Sequence, residues 1–281
     1  MSRLRIVHRT GFDYDNPATA SYNEVRMLPQ TGDEQWVLQA ALEIRPAAAQ
    51  HSYQDYWGSR VSTFEVLTPH TELAVTATSV VEVRERADDL SDIDWAALPG
   101  LAERNTMFVE FDRQSALTEP PAEVRTLVRQ IRKQGLGVRA TAREILRAVG
   151  TALSYIPGST GVHSTAADAW AQRAGVCQDF AHLAIGALRE AGIPARYVSG
   201  YLHPKPDAVF GEMVVGESHA WVEYYAGSWQ GYDVTNLIEI GERHVLVARG
   251  RDYTDVSPLR GVYAGPSASS LFVTVEITRE A

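Results

Sequence analysis

Polar and apolar positions alternate over much of the first 86 residues of the chain. The alternation is clearest at 60–67 and longest at 71–86. A period of two is typical of a half-buried β-strand. Two shorter strands are predicted at 5–8 and 35–44, and turn-forming residues separate the four segments. Short strands at this spacing predict a small β-sandwich.

From residue 120 the apolar positions recur at three and four, which is the period of an amphipathic helix. Helices are predicted from the proline pair at 120–121, over 141–155, over 166–174 and from the cysteine at 177 to a glycine at 192. Further strands follow at 195–202, 218–225, 229–233, 244–247 and 271–277.

The acidic segment 87–94 is predicted to be a linker or a solvated loop, because its composition departs from that of both neighbours. The sequence therefore predicts an α+β protein with two domains. Residues 1–95 form a β-sandwich-like N-terminal domain, and residues 96–281 form a domain whose helices precede its sheet.

Charge and composition narrow the classes of function. The chain has 281 residues, 26 of them basic and 35 acidic, which gives a formal net charge of −9. Nucleic acids and anionic membranes need a basic surface, so neither is expected as a partner. Charges interrupt the apolar residues at the N-terminus, so a signal peptide is not expected there. No apolar run approaches the roughly 18 residues of a membrane span. We therefore expect a cytoplasmic protein.

Cys177 is the only cysteine of the chain. An internal disulfide and a cysteine-rich zinc site are therefore excluded. The residue stands at the predicted start of an apolar helix, where unpaired backbone N–H groups and the helix dipole favour a thiolate. By itself, a lone cysteine is more often a small core residue than a nucleophile.

His219 and Asp233 are candidates for the base and for the group that orients it, both of which a thiolate nucleophile needs. They lie on two predicted strands joined by a tight connection. If the loop is 225–227, Tyr224 faces Ser228 and His219 directly faces Asp233, with about 5 Å between Cβ atoms. A two-residue loop would shift the register by one. The alternative for this pair is a cross-strand contact at the surface.

Four segments around these residues closely resemble the core of bacterial transglutaminase-like proteins. They are 175–182, 192–201, 218–223 and 233–236. Residues 250–253 and 258–263 are similar to the C-terminal segment of that family, and residues 5–29 to its N-terminal β-domain. The resemblance thus extends over nearly the whole chain. One departure is Val234, where the family usually has proline, and we expect it to change loop stiffness more than chemistry.

The resemblance implies a papain-like transglutaminase core, with helices packed on an antiparallel sheet, and a catalytic triad of Cys177, His219 and Asp233. It implies thiol-dependent acyl chemistry on amide bonds of a protein or peptide substrate. Hydrolysis is expected, by analogy with bacterial relatives described as cysteine proteases. Transfer of the acyl group to an amine, as in a transglutaminase, is the alternative within this chemistry. A binding or scaffold module with an inert thiol is the alternative outside it.

No metal or other cofactor is expected. Animal transglutaminases use calcium, but the sequence contains no EF-hand-like loop. His182 lies five residues from Cys177, so the two side chains diverge on a helix and do not make a metal pair. We interpret His182 as structural, and Asp179 as a residue that complements the helix dipole.

Three further residues are candidates for the oxyanion or substrate-binding groups. The backbone N–H of Cys177 is expected to supply half of an oxyanion hole. The resemblance points to the region of Tyr155 for the second donor, with a core tyrosine as the alternative. Gln178 is a candidate polar wall of the site, and a role on the helix face is its alternative. Trp221 is a candidate for lining a cleft, although aromatic residues on strands are more often core.

Overall fold

A computed structural model describes residues 1–85, 90–216, 218–266 and 268–281. Part of the predicted linker, residues 87–89, lies outside the described residues. The strands are β1 (Ser2–Ala18), β2 (Ala20–Val25), β3 (Gln35–Arg45), β4 (Gln50–Gln54), β5 (Arg60–Val66), β6 (His70–Val83), β7 (Ser154–Tyr155), β8 (Ala174–Gly175), β9 (Ala195–Leu202), β10 (Met213–Gly216), β11 (Ser218–Tyr225), β12 (Trp229–Asp233), β13 (Ile238–Glu239), β14 (His244–Gly250), β15 (Leu259–Ala264) and β16 (Ser269–Arg279). The helices are α1 (Leu101–Arg104), α2 (Met107–Asp112), α3 (Ala122–Arg132), α4 (Val138–Ala152), α5 (Ala166–Gln172), α6 (Cys177–Glu190) and α7 (Tyr253–Val256).

Two antiparallel sheets form the strand-rich N-terminal part. One has the order β10-β16-β1-β6-β3, and the other has the order β15-β2-β5-β4. Tyr14, Phe64 and Leu73 belong to an apolar core that draws on both sheets. The predicted sandwich is therefore confirmed. Strands from the end of the chain complete both sheets, so the division at residues 95 and 96 stays a prediction.

The second part is built on a five-stranded antiparallel sheet with the order β13-β12-β11-β9-β14. Helix α6 packs against β11 and β9 on one side and against α3, α4 and α5 on the other. Almost every residue of α6 is buried, as its apolar sequence predicts. The predicted α+β class, with helices on an antiparallel sheet, is confirmed. The longest helix, α4, has 15 residues, and within the described ranges no helix is long and apolar enough to cross a membrane.

Predicted and observed elements agree best around α6. Strands β9, β11 and β12 have the predicted bounds. Strand β1 is much longer than the predicted 5–8, since His8 and Thr10 occupy inward positions where the pattern calls for apolar side chains. Strand β4 escapes prediction because all of its residues are exposed, which leaves no apolar face to detect.

Candidate active site

Cys177 is the first residue of α6, and local sequence fixes this position. Asp179 accepts a hydrogen bond from the backbone N–H of Val176 at 2.8 Å and another from the Thr160 hydroxyl at 2.6 Å. The carboxylate thus caps the helix start. Gly175 gives it room, because a Cβ at that position would come 2.6 Å from the Asp179 Cβ. The cap leaves the Cys177 side chain half-buried at the helix N-terminus.

His219 lies beside the thiol. The Sγ atom of Cys177 is 4.0 Å from the carbonyl oxygen of Ser218, the residue before His219. Nε2 of His219 is 2.7 Å from Oδ2 of the fully buried Asp233. Because Nε2 is engaged by the carboxylate, Nδ1 is the ring nitrogen left for the thiol. The structure therefore brings Cys177, His219 and Asp233 together.

The predicted register between β11 and β12 is wrong. Tyr225 pairs with Trp229, so the three-residue loop is 226–228, with Gly227 in the left-handed region at φ 92°. Continuing this register places Asp233 opposite Trp221, and His219 becomes its diagonal neighbour. A diagonal pair is farther apart than a directly opposed one. The ring spans the added distance with Nε2, its far nitrogen.

Asp233 is held by backbone and side-chain donors. The backbone N–H groups of Thr235 and Asn236 donate to Oδ1 at 3.0 and 3.1 Å, and the Asn236 amide donates to Oδ2 at 2.8 Å. Burial alone would raise the pKa of Asp233, but hydrogen bonds from His219, His244 and Asn236 hold it well below its ordinary range. Val234 is buried in the core, and the backbone donors that follow it remain in place.

His244 is a member of this cluster that the sequence did not reveal. Its Nδ1 accepts the backbone N–H of Gly241 at 3.2 Å, and its Nε2 lies 3.4 Å from Oδ2 of Asp233. Burial lowers the pKa of His244 below its ordinary value, which favours the neutral ring. A neutral ring that accepts at Nδ1 carries its proton on Nε2, so His244 donates to Asp233. Its position at the start of a predicted strand gave no signal of this contact.

The charge state of His219 follows from its neighbours. Burial alone would lower the pKa of His219, but the hydrogen bonds and charges of Asp233 and Cys177 outweigh it and raise that pKa from 6.5 to about 10. The two imidazoles around Asp233 therefore differ: His219 is favoured as a cation and His244 as a neutral donor. Unequal environments of this kind separate the roles of like residues in active sites.

The three further candidates occupy different places. Tyr155 is 46% exposed and lines an open groove together with His219. Gln178 is buried, and its amide donates to the backbone oxygen of Val162 at 3.1 Å, so it ties the helix start to the preceding loop. Trp221 is fully buried, with its ring centre 6.3 Å from that of His219. Tyr155 thus faces the groove, whereas Gln178 and Trp221 support the site from within.

His182 is fully buried, and its Nε2 accepts the backbone N–H of Tyr253 at 3.1 Å. This bond joins α6 to the start of α7. Burial lowers the pKa of His182 to about 4, so the ring is neutral and acts as an acceptor. Among the residues that the structure describes, no group of three His, Cys, Asp or Glu side chains is arranged to hold a metal ion.

Two parts of the chain match models of known protein families. Residues 4–82 match the model of the bacterial transglutaminase-like N-terminal region. Residues 125–234, which contain Cys177, His219 and Asp233, match the model of the transglutaminase-like superfamily. Both predicted resemblances are confirmed.

Two relatives and one solved structure are similar over almost the full length. An uncharacterized protein of Mycobacterium leprae is 47% identical over 284 residues, covering 99% of each chain. An uncharacterized protein of Mycobacterium tuberculosis is 33% identical over 293 residues, covering 98% of this chain and 92% of the relative. The crystal structure of a "putative cysteine protease" from Cytophaga hutchinsonii matches with a TM-score of 0.76 at 20% identity, covering 99% of this chain and 98% of that one. This structural likeness shows the fold.

Proposed function

Because the chain belongs to the bacterial transglutaminase-like family, we propose that it hydrolyses amide bonds of peptides or proteins through a Cys177–His219–Asp233 triad. Family membership supports thiol-dependent catalysis in general. The observation that carries the proposal is the 2.7 Å contact between His219 Nε2 and the buried Asp233 carboxylate, beside a half-buried cysteine at a helix N-terminus. An inert core cysteine needs none of these neighbours.

In the proposed mechanism, the thiolate of Cys177 attacks the substrate carbonyl carbon while His219 holds the proton. The backbone N–H of Cys177 donates to the developing oxyanion. As the C–N bond breaks, Nδ1 of His219 gives its proton to the leaving nitrogen, and a thioester remains. Water then adds to the thioester with His219 as the base, the C–S bond breaks, and the acid departs as the thiolate–imidazolium pair is restored.

Asp233 keeps His219 in its catalytic orientation and stabilises the imidazolium. The raised pKa of His219 supports this role, since it favours the protonated ring that a thiolate–imidazolium pair needs. Tyr155 is our candidate for the second oxyanion donor, because it is exposed beside His219. We assign Gln178 to the support of the loop before the helix, on the strength of its bond to Val162.

The partners and the compartment stay predictions. We propose a peptide or protein substrate, no nucleic acid or membrane partner, and a cytoplasmic location. The predicted absence of a cofactor is part of the same proposal, since every step above uses groups of the chain itself.

The test begins with the thiol, because Cys177 is the only cysteine and its alkylation is read directly from the intact mass. We expect iodoacetamide to label it well below the free-cysteine pKa of about 8.5. His219→Ala should slow labelling at neutral pH, whereas His51→Ala, on the exposed strand β4, should not. Labelling that does not depend on His219 would favour an inert thiol and refute the proposal.

The second arm separates hydrolysis from transfer. A proteome-derived peptide library is incubated with the protein, with and without a primary amine, and the products are read by mass spectrometry. We expect new free termini that are absent with Cys177→Ala and His219→Ala. Amine-modified glutamines without new termini would instead assign the transglutaminase reaction. Unchanged activity in either variant would remove that residue from the triad.

A further inference from the structure

An open groove of about 370 Å³ lies along His219. Its lining includes Tyr155 from β7, Leu202 from β9, and Val215 from β10. Ser218 also lines it, and the carbonyl oxygen of Ser218 is 4.0 Å from Sγ of Cys177. Cys177 itself does not line the groove, but through Ser218 its sulfur lies next to it.

The chemistry of the triad determines which part of a substrate this groove can hold. His219 must give its proton to the nitrogen that leaves, so the group attached to that nitrogen lies on the His219 side of the sulfur. The oxyanion lies instead at the N-terminus of α6, where the backbone N–H of Cys177 is. A groove lined by His219 is thus on the leaving-group side of the scissile bond, not on the acyl side.

The side chains of the groove are apolar or neutral. Val215 is 72% exposed and Tyr155 is 46% exposed, while Leu202 is partly buried. Apolar side chains as exposed as these are commonly covered by a ligand when they lie together at a functional site. Apart from His219, no acidic or basic side chain lines the groove in the described parts of the chain. A protonated His219 would repel a second cation there.

We propose that this groove binds the leaving-group side of the substrate, and that Leu202 and Val215 select an apolar side chain on the residue after the scissile bond. This inference rests on the proposed function, because it assumes that His219 protonates the leaving nitrogen.

The test compares two valine variants that differ in their place on the molecule. Val215→Asp puts a carboxylate into the groove. Val262→Asp is the matched control, since Val262 is 69% exposed and lies on β15 in another sheet. Both variants and the wild-type protein are incubated with the proteome-derived peptide library, and the residue after each cleaved bond is identified. Iodoacetamide labelling of Cys177 is measured in parallel.

The wild-type protein should cleave before Leu, Ile, Val, Met or Phe more often than before Asp, Lys or Gly. Val215→Asp should lower kcat/KM for a peptide with Leu at that position about tenfold, as expected for loss of an apolar contact. It should raise the share of cleaved bonds that are followed by Lys or Arg, because the new carboxylate attracts a cation. Val262→Asp should change neither this kcat/KM nor this cleavage profile, and Cys177 should still be labelled well below the free-cysteine pKa of about 8.5 in both variants.

Two results separate this inference from the proposed function. Selective cleavage and normal labelling, with an unchanged profile in Val215→Asp, would overturn the groove assignment and leave the triad intact. Apolar selection before the scissile bond instead of after it would do the same. A wild-type protein that cleaves no peptide and labels as an ordinary thiol would overturn both.

Discussion

Replacing Asp233 with asparagine removes one negative charge from the site while keeping the size of the side chain. An amide oxygen can still accept from the backbone N–H groups of Thr235 and Asn236, so the turn after β12 should persist. The amide cannot stabilise a protonated His219 as a carboxylate does. We therefore expect the pKa of His219 to fall in Asp233→Asn.

The structure sets the size of the effect. The pKa of His219 is raised from 6.5 to about 10, a rise that corresponds to roughly 5 kcal/mol at about 1.4 kcal/mol per pH unit. Burial of His219 opposes this rise in pKa, and Cys177 contributes to the rise together with Asp233. One opposite charge at contact distance accounts for about 1–3 pH units. Asp233→Asn should therefore lower the pKa of His219 by about 1–3 pH units. This shift corresponds to about 1.4–4 kcal/mol of lost stabilisation of the imidazolium.

The assay is an NMR titration of the His219 ring in a Cys177→Ala background, which removes the coupling between the thiol and the imidazole. Signals are assigned by comparison with His219→Gln. The matched control is Asn236→Ala, which removes the 2.8 Å hydrogen bond to Asp233 but leaves its charge. We expect that variant to move the pKa of His219 by less than about 1 pH unit.

Two outcomes would contradict this reasoning. An equal pKa of His219 in the Cys177→Ala protein and in Cys177→Ala with Asp233→Asn would mean that Asp233 does not stabilise the imidazolium. Equal shifts in Asp233→Asn and Asn236→Ala would mean that local geometry, and not charge, controls the pKa. Circular dichroism of each variant guards against a change caused by unfolding.

His244→Ala should lower turnover about tenfold through loss of the bond that orients Asp233, and it should raise the pKa of His219, because it removes a competing donor to that carboxylate. His244→Gln, which can still donate, should restore most of the turnover and of the pKa. A purely structural role would leave that pKa unchanged. The lowered pKa of Asp233 contributes stability above the ordinary aspartate value of 3.8, and this contribution is lost as the pH falls below it. Urea titrations of Asp233→Asn should therefore show a weaker loss of stability between about pH 4 and pH 2 than the wild-type protein shows. Gly186→Ala should destabilise the fold by about 1–3 kcal/mol, because its Cβ would come 1.9 Å from a backbone oxygen. Gly32→Ala, where a Cβ meets nothing within 4 Å, should change the free energy of unfolding by less than about 0.5 kcal/mol.

Local signals in the sequence were enough to place Cys177 at the start of a helix. The start of α6 depends on residues within a few positions of Cys177, among them the capping carboxylate of Asp179. The hairpin of β11 and β12 is also local, because only three residues join its strands. The proximity of His219 to Asp233 therefore followed from the sequence, even though the register that predicted it was wrong.

Contacts that depend on the order of the strands could not be predicted from local patterns. His244 lies 11 residues after Asp233, but between them the chain crosses from β13 at one edge of the sheet to β14 at the other. Strands β15 and β16 pair with β2 and β1, more than 200 residues earlier in the chain. No periodicity encodes such partners, since a strand's pattern states which face is buried and not what it lies against.

The sequence by itself determined the α+β class, the helix that presents Cys177 and the identity of the residues expected to act with it, because periodicity, capping and short loops are local properties. Only the tertiary structure decided how those residues meet. It set the register that makes His219 a diagonal neighbour of Asp233, and it buried Trp221 and Gln178 while leaving Tyr155 in the groove. The physical reason is that burial and register depend on packing between elements that are far apart in the chain.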